Sequence, residues 1–292
     1  PFASDVNRYP DPQQRSLKEE LAKLKEIDTK NILLGNGSDE VLDLLFRAFC
    51  NPGKDNVITL PPTYGMYSVL ANLNDIENKE VLLNNEFEPV VTEILNSADE
   101  NTKLVFLCSP NNPTGNSFSE EKITGILQNF GGLVVIDEAY IDFSGKESWV
   151  KKLQDFPNLV VTQTLSKAYG MAGIRLGICF ASEEIISLLN KIKPPYNVNA
   201  LTQKRAKECL LKKDDLEEDI AEILRQRTIL SKALLEVDFV MNIYPSDANF
   251  LLVKVNDAKA TYQFLLERKI VVRDRSRVVL CEECLRITVG TA

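Results

Sequence analysis

Histidine is absent from all 292 residues. That excludes Ser-His-Asp and Cys-His nucleophile systems and His-ligated metals within this chain. The six cysteines are scattered, which is no disulfide framework and suits reduced thiols in a cytoplasmic setting. Cys281-Glu-Glu-Cys284 is the one CxxC, with no second pair beside it, so no metal centre is expected. No apolar run reaches the roughly 18 residues of a spanning helix, and no secretory signal is visible. A basic surface is also missing. The net charge of -8 argues against nucleic acid and anionic membranes as partners. If the chain is an enzyme, its proton transfers fall to Lys, Tyr, Asp, Glu or a cofactor.

The remaining composition is that of a globular protein, 44% hydrophobic and 26% charged. Apolar runs at 56–60, 103–109, 132–140, 158–167 and 174–181 read as buried strands. Helical patterns at 38–50, 65–73 and 119–130 lie between several of them. Such alternation predicts an α/β fold, a mostly parallel sheet with helices on both faces. Two prolines in "IKPPYNVNA" (192–200) interrupt it. A long helical region at about 201–236, strands at 248–255 and 284–290 and a helix near 257–268 then predict a smaller α+β unit. The expected division is a large domain over 30–205 and a small one over 206–292. Residues 1–29, with a helix near 16–26, are expected to join the small one.

Ligands of open parallel sheets collect beyond the carboxyl ends of the strands. This sequence puts its unusual polar groups there: "GNGSDE" (35–40), "CSPNNPTG" (108–115), "DEAY" (137–140) and "TLSKAYGMAGIRLG" (164–177). Lys167 sits between a hydroxyl pair and a glycine-bearing loop, with Arg175 eight residues on. That suits an amine that forms an imine with an aldehyde cofactor bearing a phosphate, such as pyridoxal 5'-phosphate. Asp137 can hold the protonated ring nitrogen of such a cofactor. At an effective dielectric of about 20 and about 3 Å, that attraction is roughly 5 kcal/mol. Thr164, Ser166, Arg175 and the amides where Ser38 and Asp39 open a helix can hold the phosphate. Asn112 and Tyr140 can bond the phenolic oxygen, and Tyr64 can stack on the ring. Singly, each has an ordinary reading: Lys167 a solvated strand end, Asp137-Glu138 a helix cap, residues 112–115 a turn, Tyr64 a core aromatic. Their gathering at one sheet edge favours the chemical reading.

With these motifs the chain resembles the fold-type I pyridoxal-phosphate-dependent aminotransferases. "YGMY", "VRDR" and "CLRITVGT" are similar to the histidinol-phosphate branch. The resemblance implies that Lys167 carries the cofactor, Asp137 pairs with its ring nitrogen and Arg175 binds its phosphate. It implies that Arg273 and Arg286 bind substrate anions, and that Tyr9 donates to the cofactor phosphate in the partner subunit of a homodimer with shared sites. The implied reaction is transamination between histidinol phosphate and 2-oxoglutarate, yielding glutamate, in histidine biosynthesis. An aromatic amino-acid aminotransferase or a threonine-phosphate decarboxylase remains an alternative, and a non-catalytic cofactor-binding regulator a more distant one.

Overall fold

The computed structural model describes residues 7–290. Seven strands form the first sheet: β1 (Ile32–Asn36), β2 (Asn56–Thr59), β3 (Glu77–Glu80), β4 (Thr102–Cys108), β5 (Leu133–Asp137), β6 (Leu159–Thr164) and β7 (Leu176–Ala181). They lie in the order β1-β7-β6-β5-β4-β2-β3. The pairs from β3 through β6 are parallel, while β7 runs against both β6 and β1. A mostly parallel sheet is thus observed. Its central strands are apolar throughout because both faces are covered. Along β4, Leu104, Phe106 and Cys108 enter one core cluster, and Val105 and Leu107 enter the other. This is the alternation of a pleated strand sandwiched between helices.

The helices Ser38–Phe49, Met66–Leu73 and Glu120–Asn129 fall where the apolar periodicity predicts them. The helix Arg15–Lys25 forms as expected. It lies against the helix Ala200–Leu210, and its Leu17 and Leu21 enter the cluster holding Ile32, Leu34 and Val161. The same cluster also holds Leu252 and Cys284 of the second unit.

A second sheet, all antiparallel, has the order β10-β11-β9-β8. Its strands are β8 (Val240–Ile243), β9 (Phe250–Val255), β10 (Arg273–Asp274) and β11 (Cys284–Thr288). It is joined to the first by Ala200–Leu210 and the long helix Lys213–Leu235. The two sheets meet where the Asp247 amide donates to the Gly115 carbonyl (2.7 Å). A Cβ on Gly115 would fall 2.6 Å from Ser246 Oγ, and φ there is +87°, so glycine permits this close approach. No helix among the described residues is long and apolar enough to cross a membrane.

Candidate active site

The carboxyl ends of β1, β4, β5 and β6 open on one edge of the large sheet, and β7 starts there. Gly177 pairs with both Gly35 and Thr164, which brings the ends of β1 and β6 to either side of it. A Cβ on Gly177 would fall 2.3 Å from the Ser38 nitrogen, so glycine lets the turn into the helix Ser38–Phe49 cross the strand. Between this edge and β10–β11 lies a cavity of about 380 Å³. That is the size range of small-molecule sites. All the residues singled out from the sequence line it except Tyr9.

Lys167 follows the end of β6 in a tight turn. The Gly170 amide donates to the Lys167 carbonyl (3.0 Å), with Gly170 at φ +61°. The Thr164 hydroxyl pins the turn, donating to the Leu176 carbonyl (3.1 Å) and accepting from the Ser166 amide (3.1 Å). The Lys167 ammonium lies 5.3 Å from the centre of the Tyr140 ring. Burial lowers its pKa, the Arg286 cation lowers it further, and Asp137 and Asp39 oppose the shift. The neutral amine needed for nucleophilic or base chemistry is therefore more accessible than for an ordinary lysine.

Asp137 ends β5 and is buried, 3% exposed. Its donors, the Tyr67 hydroxyl (2.8 Å) and the Ala139 amide (3.2 Å), are both neutral. Burial raises its pKa, against these hydrogen bonds. A carboxylate so placed favours an added cation. Its neighbour Glu138 points to the opposite side of the strand and is consumed by structure. It accepts from the Ser148 hydroxyl (2.6 Å), the Trp149 amide (2.7 Å) and the Gln163 amide group (2.7 Å).

Gly37, at φ +85°, turns the chain into the helix whose first residues are Ser38 and Asp39. A Cβ there would fall 2.5 Å from Arg175 Nη2. Arg175 itself adopts a left-handed backbone, φ 55°, at the end of the short turn Ala172–Ile174. Its guanidinium lies 3.9 Å from Asp39, both half exposed, a contact of little energetic weight. Glycine wall, helix start, arginine fork and the Thr164 and Ser166 hydroxyls make a concave anion cradle.

The opposite wall comes from the second sheet. Arg273 and Arg286 are paired in register, and Arg286 Nη1 donates to Asn112 Oδ1 at 2.5 Å. The Arg286 guanidinium also lies 4.8 Å from the Phe250 ring centre. Tyr140 is buried, which pushes its hydroxyl up to about 12. Tyr64 donates to Asp39 (3.1 Å) and meets the Tyr67 ring edge-on at 5.5 Å.

Three contributors escape the sequence reading. Tyr67 lies behind the lining as the donor to Asp137. Cys108 lines the cavity with a thiol that burial pushes up. Arg275 lines it too, and its Nε, like that of Arg286, is buried without a hydrogen-bond partner among the described residues. The "VRDR" spacing is a usable signal for Arg275, since residues two apart on a strand share a face. Tyr9 lies outside the cavity, 81% exposed and stacked on Tyr196 at 4.4 Å.

The residues present fit pyridoxal phosphate. Lys167 offers an amine for its aldehyde, Asp137 a buried carboxylate for its ring nitrogen, and the Gly37 cradle a fixed set of donors for its phosphate.

Comparison with known proteins converges on the same family. The family model for aminotransferase class I and II matches residues 3–292. Histidinol-phosphate aminotransferase of Flavobacterium johnsoniae is 65% identical over 100% of this chain and 83% of its own length. That of Christiangramia forsetii is 63% identical over the same shares. The solved histidinol-phosphate aminotransferase of Sinorhizobium meliloti, in complex with pyridoxal-5'-phosphate, superposes with a TM-score of 0.90 at 25% identity, over 98% of this chain and 79% of that one. With this degree of identity across its length, the chain belongs to the class I and II aminotransferases and, within them, to the histidinol-phosphate aminotransferases.

Proposed function

We propose that this protein transfers an amino group between histidinol phosphate and 2-oxoglutarate, with pyridoxal phosphate, as a step of histidine biosynthesis. The observation that carries the reading is the meeting, in one cavity, of a half-buried amine, a buried carboxylate and a glycine-walled anion cradle. When bound, pyridoxal phosphate supplies the aldehyde carbon that ferries the amino group and a ring that withdraws electrons from the breaking bond. The chain's own residues do the rest. Lys167 Nζ holds the cofactor and moves the proton of the substrate α-carbon. Asp137 keeps the ring nitrogen protonated, with the Tyr67 hydroxyl fixing the carboxylate. Arg175, Ser38, Asp39, Thr164 and Ser166 hold the phosphate, Asn112 and Tyr140 orient the ring oxygen, and Tyr64 covers one face. Arg273 and Arg286 bind the substrate anions. Their planar forks accept carboxylate or phosphate bidentately, so one pair serves both substrates.

In this reading residues 30–205 hold the cofactor and 206–292 bring the substrate-side arginines. The six free thiols support a reducing, cytoplasmic setting. The working unit is a homodimer in which Tyr9 completes the partner's site; its exposure outside its own chain's cavity supports that role. Co-expressed Tyr9→Ala and Lys167→Ala chains should then form a mixed dimer with one intact site. An activity no greater than the mean of the two homodimers removes the shared-site reading.

The substrate is tested by steady-state assay with 2-oxoglutarate as acceptor. Phenylalanine and tyrosine offer the guanidinium forks a singly charged carboxylate in place of a phosphate dianion, and so pair with them less strongly. Histidinol phosphate should exceed both by roughly a hundredfold or more in kcat/KM. Threonine phosphate should release no carbon dioxide. A preference for either aromatic amino acid, or decarboxylation of threonine phosphate, overturns the substrate assignment.

A further inference from the structure

Arg275 directly follows β10 and lines the catalytic cavity with Arg273 and Arg286. Its main chain is fixed on both sides. The amide donates to the Cys284 carbonyl (2.9 Å), and the carbonyl accepts from the Val278 amide (2.9 Å). Its side chain is not fixed in this way. The Nε is buried without a partner, and no hydrogen bond or ion pair reaches the guanidinium among the described residues. A buried donor left unpaired costs free energy, and more so when it is charged. The Arg286 Nε is buried and unpaired as well, although its Nη1 has Asn112 at 2.5 Å. One wall of the cavity therefore carries two guanidinium groups with buried donors that the chain's own acceptors do not reach.

The neighbouring carboxylates do not balance this wall. Asp39 and Asp137 are the two that line the cavity, and both belong to its cofactor side. Asp39 accepts from Tyr64 (3.1 Å) and lies by Arg175 (3.9 Å), and Asp137 accepts from Tyr67 (2.8 Å). Asp274 adjoins Arg275 in sequence but does not line the cavity. Its Oδ1 accepts from the Ser276 amide (2.8 Å) and hydroxyl (2.6 Å), and Arg277 acts on it more strongly than Arg275 does. The arginines also act on one another. Burial lowers the Arg286 pKa, Tyr140 opposes the shift, and the fields of Arg275 and Arg273 add to it. Like charges gathered on one wall favour an occupant that brings more than one negative charge. A phosphate monoester carries about two at neutral pH, and a carboxylate one.

We propose that Arg275 is a specificity-determining residue, which binds the phosphate of histidinol phosphate together with Arg286 and so favours that substrate over donors that bring only a carboxylate. The proposal rests on the substrate reading above. A phosphate monoester offers three acceptor oxygens, enough for two guanidinium forks, whereas the two oxygens of a carboxylate are occupied by one bidentate fork. Arg286 and Arg273 therefore serve either anion, and Arg275 contributes most when a phosphate enters.

The test compares two amino donors on the protein loaded with pyridoxal phosphate. Histidinol phosphate and glutamate are each reacted in single turnovers, followed by the absorbance of the cofactor. Arg275→Met keeps the apolar stem and removes the fork. It should weaken histidinol phosphate roughly tenfold or more beyond any effect on glutamate, chiefly in the apparent Kd rather than in the limiting rate. Equal losses on both donors mark a merely structural residue. That result, or no loss on histidinol phosphate, overturns the proposal and leaves the substrate reading standing. A parent protein that does not react with histidinol phosphate overturns the substrate reading and the proposal with it. Should Arg275→Met fail to fold, phenylglyoxal modification of the unsubstituted holoenzyme decides, read residue by residue by peptide mass spectrometry. Inorganic phosphate should protect Arg275 more than acetate does at equal concentration. Equal protection by the two ions, or protection by neither, overturns the proposal.

Discussion

Lys167→Ala should abolish multiple turnover, a loss of roughly ten-thousandfold or more, because one amine both holds the cofactor and moves the α-proton. The fold should survive. The side chain makes no hydrogen bond among the described residues beyond its approach to the Tyr140 ring, and the turn is held by main-chain bonds that alanine keeps. Removing an amine whose charged form burial disfavours costs little stability. The purified protein should therefore melt close to the parent temperature and still bind pyridoxal phosphate weakly through Asp137 and Arg175. Sustained turnover without added amines is the outcome that sinks the assignment of Lys167.

Asp137→Asn should cost roughly a thousandfold in kcat/KM, following from the roughly 5 kcal/mol attraction between a carboxylate and a ring cation. Asparagine keeps the shape and can still accept from the Tyr67 hydroxyl, so the loss is electrostatic. The stability effect has the opposite sign. Burial raises the Asp137 pKa in the folded chain. A raised carboxyl weakens folding increasingly as pH climbs from the ordinary carboxylate range through the raised value. Below that range the carboxyl is protonated in both the folded and the unfolded chain, and the penalty is gone. Without cofactor, Asp137→Asn should thus raise the melting temperature at neutral pH, and the gain should shrink in acid. A variant that keeps more than a tenth of parental kcat/KM shows that Asp137 does not govern the ring nitrogen. A melting gain independent of pH shows that its buried charge is not the cause.

The parts of the fold written in composition are the ones legible in the sequence. Strands β2 and β4–β7 are continuous apolar runs because both faces are buried, and each falls within or next to its expected span. β3 reads Glu-Asn-Lys-Glu, a polar strand at the sheet edge, so no hydrophobic signal marks it. The direction of β7 is equally silent, since a strand buried on both faces has the same pattern either way. The helix Glu183–Ile192 did carry a signal, a Ser182 cap followed by two acids. The helix Arg15–Lys25 was legible as a helix but not in its packing, because an apolar stripe does not name its partner.

The site divides in the same way. Lys167, Asp137 and Arg175 are legible because such residues rarely end buried strands or enter glycine-rich turns together. Tyr67 is not, because an aromatic within a helical pattern reads as core. Only the tertiary fold brings its hydroxyl to a carboxylate 70 residues away. Tyr9 is a different case: it stacks on Tyr196 outside the cavity of its own chain, as a role in a partner's site requires.

The most direct measurement is borohydride reduction of the protein loaded with pyridoxal phosphate, followed by peptide mass spectrometry. Reduction makes the link between lysine and cofactor permanent and marks the residue that holds it. The account predicts the added mass on the peptide containing Lys167, with transamination activity lost in proportion to labelling. Label on another lysine, or full activity remaining after Lys167 is labelled, contradicts it.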